Sequence, residues 1–163
     1  MEDIFERDAW FRWRYNIRLQ AAMAEHSLRS GDTTNAREIV TRLLETAGKY
    51  EVHKYISVGH KLLAAIALAE GDLPAAETEF AAALDELRQY PVPVVEWTIH
   101  AELGRMKAKS GDDAAAREAF AKAAEIIDRI VARISDTSLR ETFLTSDAAR
   151  EVKTRATTAA SSA

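Results

Sequence analysis

The stretch SGDTTNARE, residues 30–38, returns as EGDLPAAET at 70–78 and as SGDDAAARE at 110–118. Gly31, Gly71 and Gly111 therefore stand 40 residues apart. Other columns keep the same beat. Five residues after each glycine come Ala36, Ala76 and Ala116, and nine after come Val40, Phe80 and Phe120. Twelve after come Leu43, Ala83 and Ala123. Eight before come Met23, Leu63 and Leu103, and seven before come Ala24, Ala64 and Gly104. Large apolar and small residues recurring in register mark a stacked supersecondary unit.

Each unit reads as two helices around its glycine. Ahead of Gly71, Leu62, Leu63, Ile66 and Ala67 form a stripe at helical spacing. Beyond it, Ala76, Phe80, Ala83, Leu84 and Leu87 do the same. Glycine tolerates a left-handed backbone and stops the first helix. The aspartate after it caps the second by accepting a bond from an unpaired N–H. Pro74 suits a first turn, where its missing N–H costs nothing. Short turns make paired helices antiparallel neighbours, and the small residues let them approach closely.

The spacing predicts helices over 4–29, 34–47, 53–70, 74–88, 94–109 and 113–134, with short ones over 138–145 and 147–153. Pro91 and Pro93 in QYPVPVVEW separate the fourth from the fifth. The expected fold is an all-α right-handed α-solenoid of three antiparallel helix pairs with terminal capping helices. It forms a single domain over 1–154, with units at 13–52, 53–92 and 93–132, a cap at 133–153 and a frayed tail at 155–163. Ser135 or Asp136 stops the long helix, and Leu139, Phe143 and Leu144 cover the last repeat. The first copy has Val40 where its sisters have phenylalanine, a smaller space that the tryptophan-bearing first helix is expected to fill.

These columns resemble the tetratricopeptide repeat. Leu63-Ala64, Gly71, Ala76, Phe80 and Ala83 carry the pattern, as do Leu103-Gly104, Gly111, Ala116, Phe120 and Ala123. The beat of 40 is longer than that family's period of about 34, and the family's first-helix tryptophan and tyrosine are missing. WFRWRYNIRL, KYISVGHKLLAAIAL and ISDTSLRETFLTS are similar to segments of one subclass. It comprises the C-terminal repeat regions of bacterial maltose-regulator-type transcription activators and related signalling proteins. The resemblance implies a non-enzymatic scaffold that binds a peptide or partner domain in a concave groove, including an upstream domain of a larger signalling protein.

By repeat column, that inner face comprises Arg18, Ala21, Glu25 and Arg29, then Val58, Lys61, Ala65 and Ala69, then Thr98, Ala101, Arg105 and Lys109. Its basic lean, from Arg18, Arg29, Lys61, Arg105 and Lys109, suits an extended or acidic peptide. WFRWRY offers a second surface. Trp10, Trp13 and Tyr15, framed by arginines, either pack the first helix or form a docking face. Two further readings remain open. A small-molecule sensor would close a pocket near Trp97, His60 and His100. Self-association would pair aromatic faces in a homodimer.

Composition narrows the alternatives. Net charge is −4, from 22 basic and 26 acidic residues, which argues against nucleic acid as a direct partner. Cysteine is absent, so disulfide and thiolate chemistry are excluded and a reducing cytoplasm is the expected compartment. MEDIFERDAW lacks the basic and apolar regions of a signal peptide. No apolar run approaches the ~20 residues of a membrane span. His60 and His100 share a column and could face each other, but no tight cluster of further ligands accompanies them, so no metal or cofactor is expected. Neither a phosphate loop nor a nucleophile elbow is present, which argues against an enzyme.

Overall fold

The computed structural model describes the backbone of residues 3–160 and the side chains of 13–157. The described residues form eight helices and no strand. They are α1 (Asp3–Arg29), α2 (Thr33–Lys49), α3 (His53–Glu70), α4 (Leu73–Gln89), α5 (Pro93–Lys109), α6 (Asp113–Val131), α7 (Thr137–Leu144) and α8 (Asp147–Ala160). Consecutive helices pack in pairs, α1 with α2, α3 with α4 and α5 with α6, the arrangement of α-solenoid repeats. The helices sort into two compact units, Met1–Tyr90 and Pro91–Ala163. The periodicity alone leads to one domain, and the division falls at the proline-bearing turn.

The three Gly-Asp joints are built alike. Gly31, Gly71 and Gly111 have φ of 80°, 82° and 81°, the left-handed region that glycine enters without a Cβ clash. After each, the aspartate N–H donates back to a carbonyl of the preceding helix. Asp32 reaches Ser27 at 2.9 Å, Asp72 reaches Ala67 at 2.9 Å and Asp112 reaches Lys107 at 3.0 Å. The same aspartate side chains accept from the N–H groups of Asn35, Ala75 and Ala115 at 3.0, 3.0 and 3.1 Å. One dipeptide thus closes one helix and opens the next.

In the first unit, Ile17, Ala21 and Ala24 of α1 are buried against α2, which contributes Ala36, Ile39, Val40, Leu43 and Ala47. Gly59 is where α3 closes onto α2, because a Cβ there would come within 2.5 Å of Leu44 Cδ2. The space beside Val40 is shared by Ala24 and Leu28 of α1, the helix expected to fill it, with Leu62 and Ile66 of α3. Phe80, Ala83 and Leu87 complete the inner side of α4. The α2–α3 turn has no glycine at its strained position. Glu51 takes φ 51° there, and the Val52 N–H returns to the Ala47 carbonyl at 2.8 Å.

In the second unit, Trp97, Ala101, Phe120, Ala123, Ile126 and Ile127 form the core. The expected cap is shifted. The long helix ends at Val131, and Asp136 does not stop it but opens α7 by accepting from the Leu139 N–H at 2.9 Å. Phe143 and Leu144 pack on the core, whereas Leu139 is exposed. Most of the covering falls to α8, whose Ala149 and Val152 are fully buried. That helix runs to Ala160, beyond the expected end at residue 153, and the tail read as frayed is helical to that point.

Candidate functional site

The residues assigned to the inner face meet different fates. Arg18, Glu25 and Arg29 are exposed on α1, Lys109 is exposed on α5, and Lys61 is half-buried on α3 and engaged. Thr98 turns its hydroxyl onto the Val95 carbonyl at 2.7 Å. Ala21 and Ala101, from the same columns, lie in the cores and line no groove. Arg105 is not an open anchor either. Its guanidinium forks onto the Glu151 carboxylate of α8, Nε at 3.1 Å and Nη2 at 2.7 Å. That pair raises the arginine's proton affinity and holds the Glu151 carboxyl below its ordinary range.

Of the aromatic docking residues, Trp10 lies outside the described side chains. Trp13 and Tyr15 stand at the end of the first unit, where Ile17 fixes α1 on α2 and α3. The Trp13 ring stacks on Tyr50, centroids 4.6 Å apart and planes within 9°. Tyr15 points outward. A hollow of about 530 Å³ opens between the first helices of the two pairs, lined by Trp13, Arg14, Tyr15, Ile17 and Arg18 of α1, by Val52, and by Lys54 and Tyr55 of α3. A second hollow, of about 840 Å³, opens on the other side of Trp13 and Tyr15, toward Leu19, Lys49, Tyr50 and Glu45.

The electrostatics of the first hollow are one-sided. Arg14, Arg18 and Lys54 border it, and among the described residues no carboxylate does. None of the three makes an ion pair among the described residues. Two stand over aromatic faces instead, Arg14 at 5.6 Å from the Trp13 centroid and Lys54 at 5.5 Å from that of Tyr55. A chain of net charge −4 therefore keeps a cationic, aromatic recess in its first unit. Tyr50, Lys54 and Tyr55 were not legible as site residues from the repeat columns. The signal was the doubled Lys-Tyr in GKYEVHKY, residues 48–55, which the left-handed Glu51 folds onto α1.

Two of the histidines tie helices together. His53 Nδ1 lies 2.6 Å from Glu86 Oε1 and its ring stacks on Tyr90. His60 Nδ1 lies 2.8 Å from Glu79 Oε2, so both clasp α3 to α4. His100 belongs to the second unit. Its Nδ1 is buried and without a hydrogen-bond partner among the described residues. Trp97, expected beside a pocket, is a core residue whose ring meets Phe143 edge-on at 6.1 Å. No group of three potential metal ligands occurs among the described residues.

Acid should weaken the second unit through His100. Burial, then the Lys122 charge, lower its proton affinity below the ordinary imidazole value, and Glu118 only partly opposes them. The unfolded chain therefore binds the proton more readily. This contribution is fully present above pH 6.5, the ordinary value, and declines as pH falls below it. The depressed Glu151 carboxyl acts in the same direction at lower pH, through the ordinary carboxylate value and below. Urea midpoints measured between about pH 7.5 and about pH 5.5 should fall, and His100→Gln should flatten that slope.

No protein-family model, curated protein or solved structure matches the chain significantly. Among the described residues, no helix is long and apolar enough to cross a membrane.

Proposed function

We propose that this protein is a non-enzymatic interaction module, and that the recess between α1 and α3 receives an acidic peptide segment carrying an apolar anchor. The observation that carries the reading is the cationic border of Arg14, Arg18 and Lys54 around an aromatic hollow that no carboxylate lines among the described residues. Such a border steers and orients an anionic segment, while aromatic rings supply contact area at low entropic cost. Of the first-helix cations expected to act as anchors, Arg18 lies in this recess and Arg105 serves the fold. The tetratricopeptide-like repeat supports the same reading, as does the likeness to repeat regions of bacterial signalling and transcription regulators, for which the partner is a peptide or a neighbouring domain.

The test is a labelled peptide of alternating glutamate and leucine, titrated against the chain at low salt. Reversing Arg18 and Lys54 to glutamate should weaken binding about tenfold or more, since charge-assisted bonds contribute ~1.5–3 kcal/mol each. Arg117→Glu, an exposed reversal on α6, should leave it unchanged. Affinity that survives the double reversal would overturn the proposal.

A further inference from the structure

Tyr15, Leu19 and Met23 are 71%, 57% and 47% exposed. Four-residue spacing sets them on one side of α1, opposite Ile17 and Ala24. Forty residues on, the same columns hold Tyr55, Gly59 and Leu63 of α3. There the face is covered. Gly59 is buried beneath Leu44 of α2, with Leu43 Cδ2 3.1 Å from where its Cβ would stand. Leu62 and Ile66, on the same side of α3, pack with Ile39 and Val40 of α2. The first helix of the second pair, α3, thus has a face shaped to receive the second helix of the pair before it. On α1 that face is apolar and open among the described residues.

We propose that the outer face of α1 docks an amphipathic helix of a partner protein, seated there as α2 is seated on α3. The side chains specify that helix. Leu19 fills the space that Gly59 leaves open, so the incoming helix needs a small residue where α2 has Leu44. Arg14 and Arg18 border the stripe on one side, so its flank there carries carboxylates. Ala22 and His26 replace Leu62 and Ile66, which confines the apolar contact to residues 15–23. The proposal rests on the interaction-module reading and uses an adjoining face, which shares Arg14, Tyr15 and Arg18 with the recess but adds Leu19 and Met23. Lys54→Glu disables the recess without touching the stripe, and Leu19→Glu does the reverse.

The probe is the α2 sequence as a synthetic peptide with Arg42→Glu and Leu44→Ala, titrated into the isotopically labelled full chain. Amide shifts should map to residues 15–23, and a peptide that keeps Leu44 should bind about tenfold more weakly, because overpacking a contact costs ~1–3 kcal/mol. The chain variant Leu19→Ala should reverse that preference, and Leu19→Glu should abolish binding, both with an unchanged helical circular dichroism spectrum. Equal affinity for the two peptides, shifts confined elsewhere, or no binding at millimolar peptide would overturn it. So would a concentration-dependent dimer that Leu19→Glu dissolves, since a second copy would then be the occupant.

Discussion

Aspartate in place of Val152 should lower the urea midpoint of unfolding by the equivalent of about 4 kcal/mol or more. Val152 is fully buried among the apolar side chains of Phe120, Ile127 and Ala149, which offer the replacing carboxylate no hydrogen bond. Burying an unpaired charge is among the few single changes that reach this size. Val152→Ala separates packing from charge. It removes only methyl groups and should cost about 1–2 kcal/mol at ~0.8 kcal/mol per buried carbon plus a small cavity term. If aspartate proves no worse than alanine, α8 does not seal the core as described. The Arg105–Glu151 fork acts beside this seat, so loss of Val152 packing should also release the guanidinium that the fold now holds.

The second large effect centres on Gly104. A Cβ there would lie 2.9–3.0 Å from three ring carbons of Phe120. The ring is 97% buried (3% exposed) and braced by the core, so it cannot swing clear at low cost. Gly104→Ala should therefore destabilise by about 1–3 kcal/mol, despite alanine's better helix propensity. Phe120→Ala alone should cost about 3–5 kcal/mol. The double variant should cost little more than Phe120→Ala, because the clash vanishes with the ring. Additive losses in that cycle would show that Gly104 serves something other than the approach of α5 to α6. At Gly59 the approach is closer still, 2.5 and 2.7 Å to Leu44 Cδ2 and Cγ, so Gly59→Ala requires the half-buried Leu44 side chain to move.

The helix pairs were legible because every device that makes them is local. Gly31, Gly71 and Gly111 close their joints within a few residues, and the columns at Ala24, Ala64 and Gly104 report close approach directly. The cap was harder to see. The buried face of α8 rests on Ala149 and Val152, with Ala156 beside them, and so little apolar bulk gives weak periodicity. Arg105 looked like an open cation because its partner lies 46 residues downstream. Ala21 and Ala101 looked like groove lining because a column fixes a position along the repeat but not its depth. The recess escaped for another reason. It depends on Val52, Lys54 and Tyr55 following a left-handed glutamate, a conformation that a sequence does not advertise as glycine does.

The Gly-Asp joint is self-contained. A Cβ added at Gly31, Gly71 or Gly111 would meet nothing within 4 Å. The joint asks nothing of its surroundings, only a left-handed backbone and two bonds made within its own few residues. A segment bounded by two such joints is consequently a portable module of 40 residues. Duplication or excision at that length leaves every joint intact and renews only the surfaces that meet. Lengthening or shortening such a chain is then a problem in matching faces, in the way Leu44 matches Gly59, and not one of inventing a new turn.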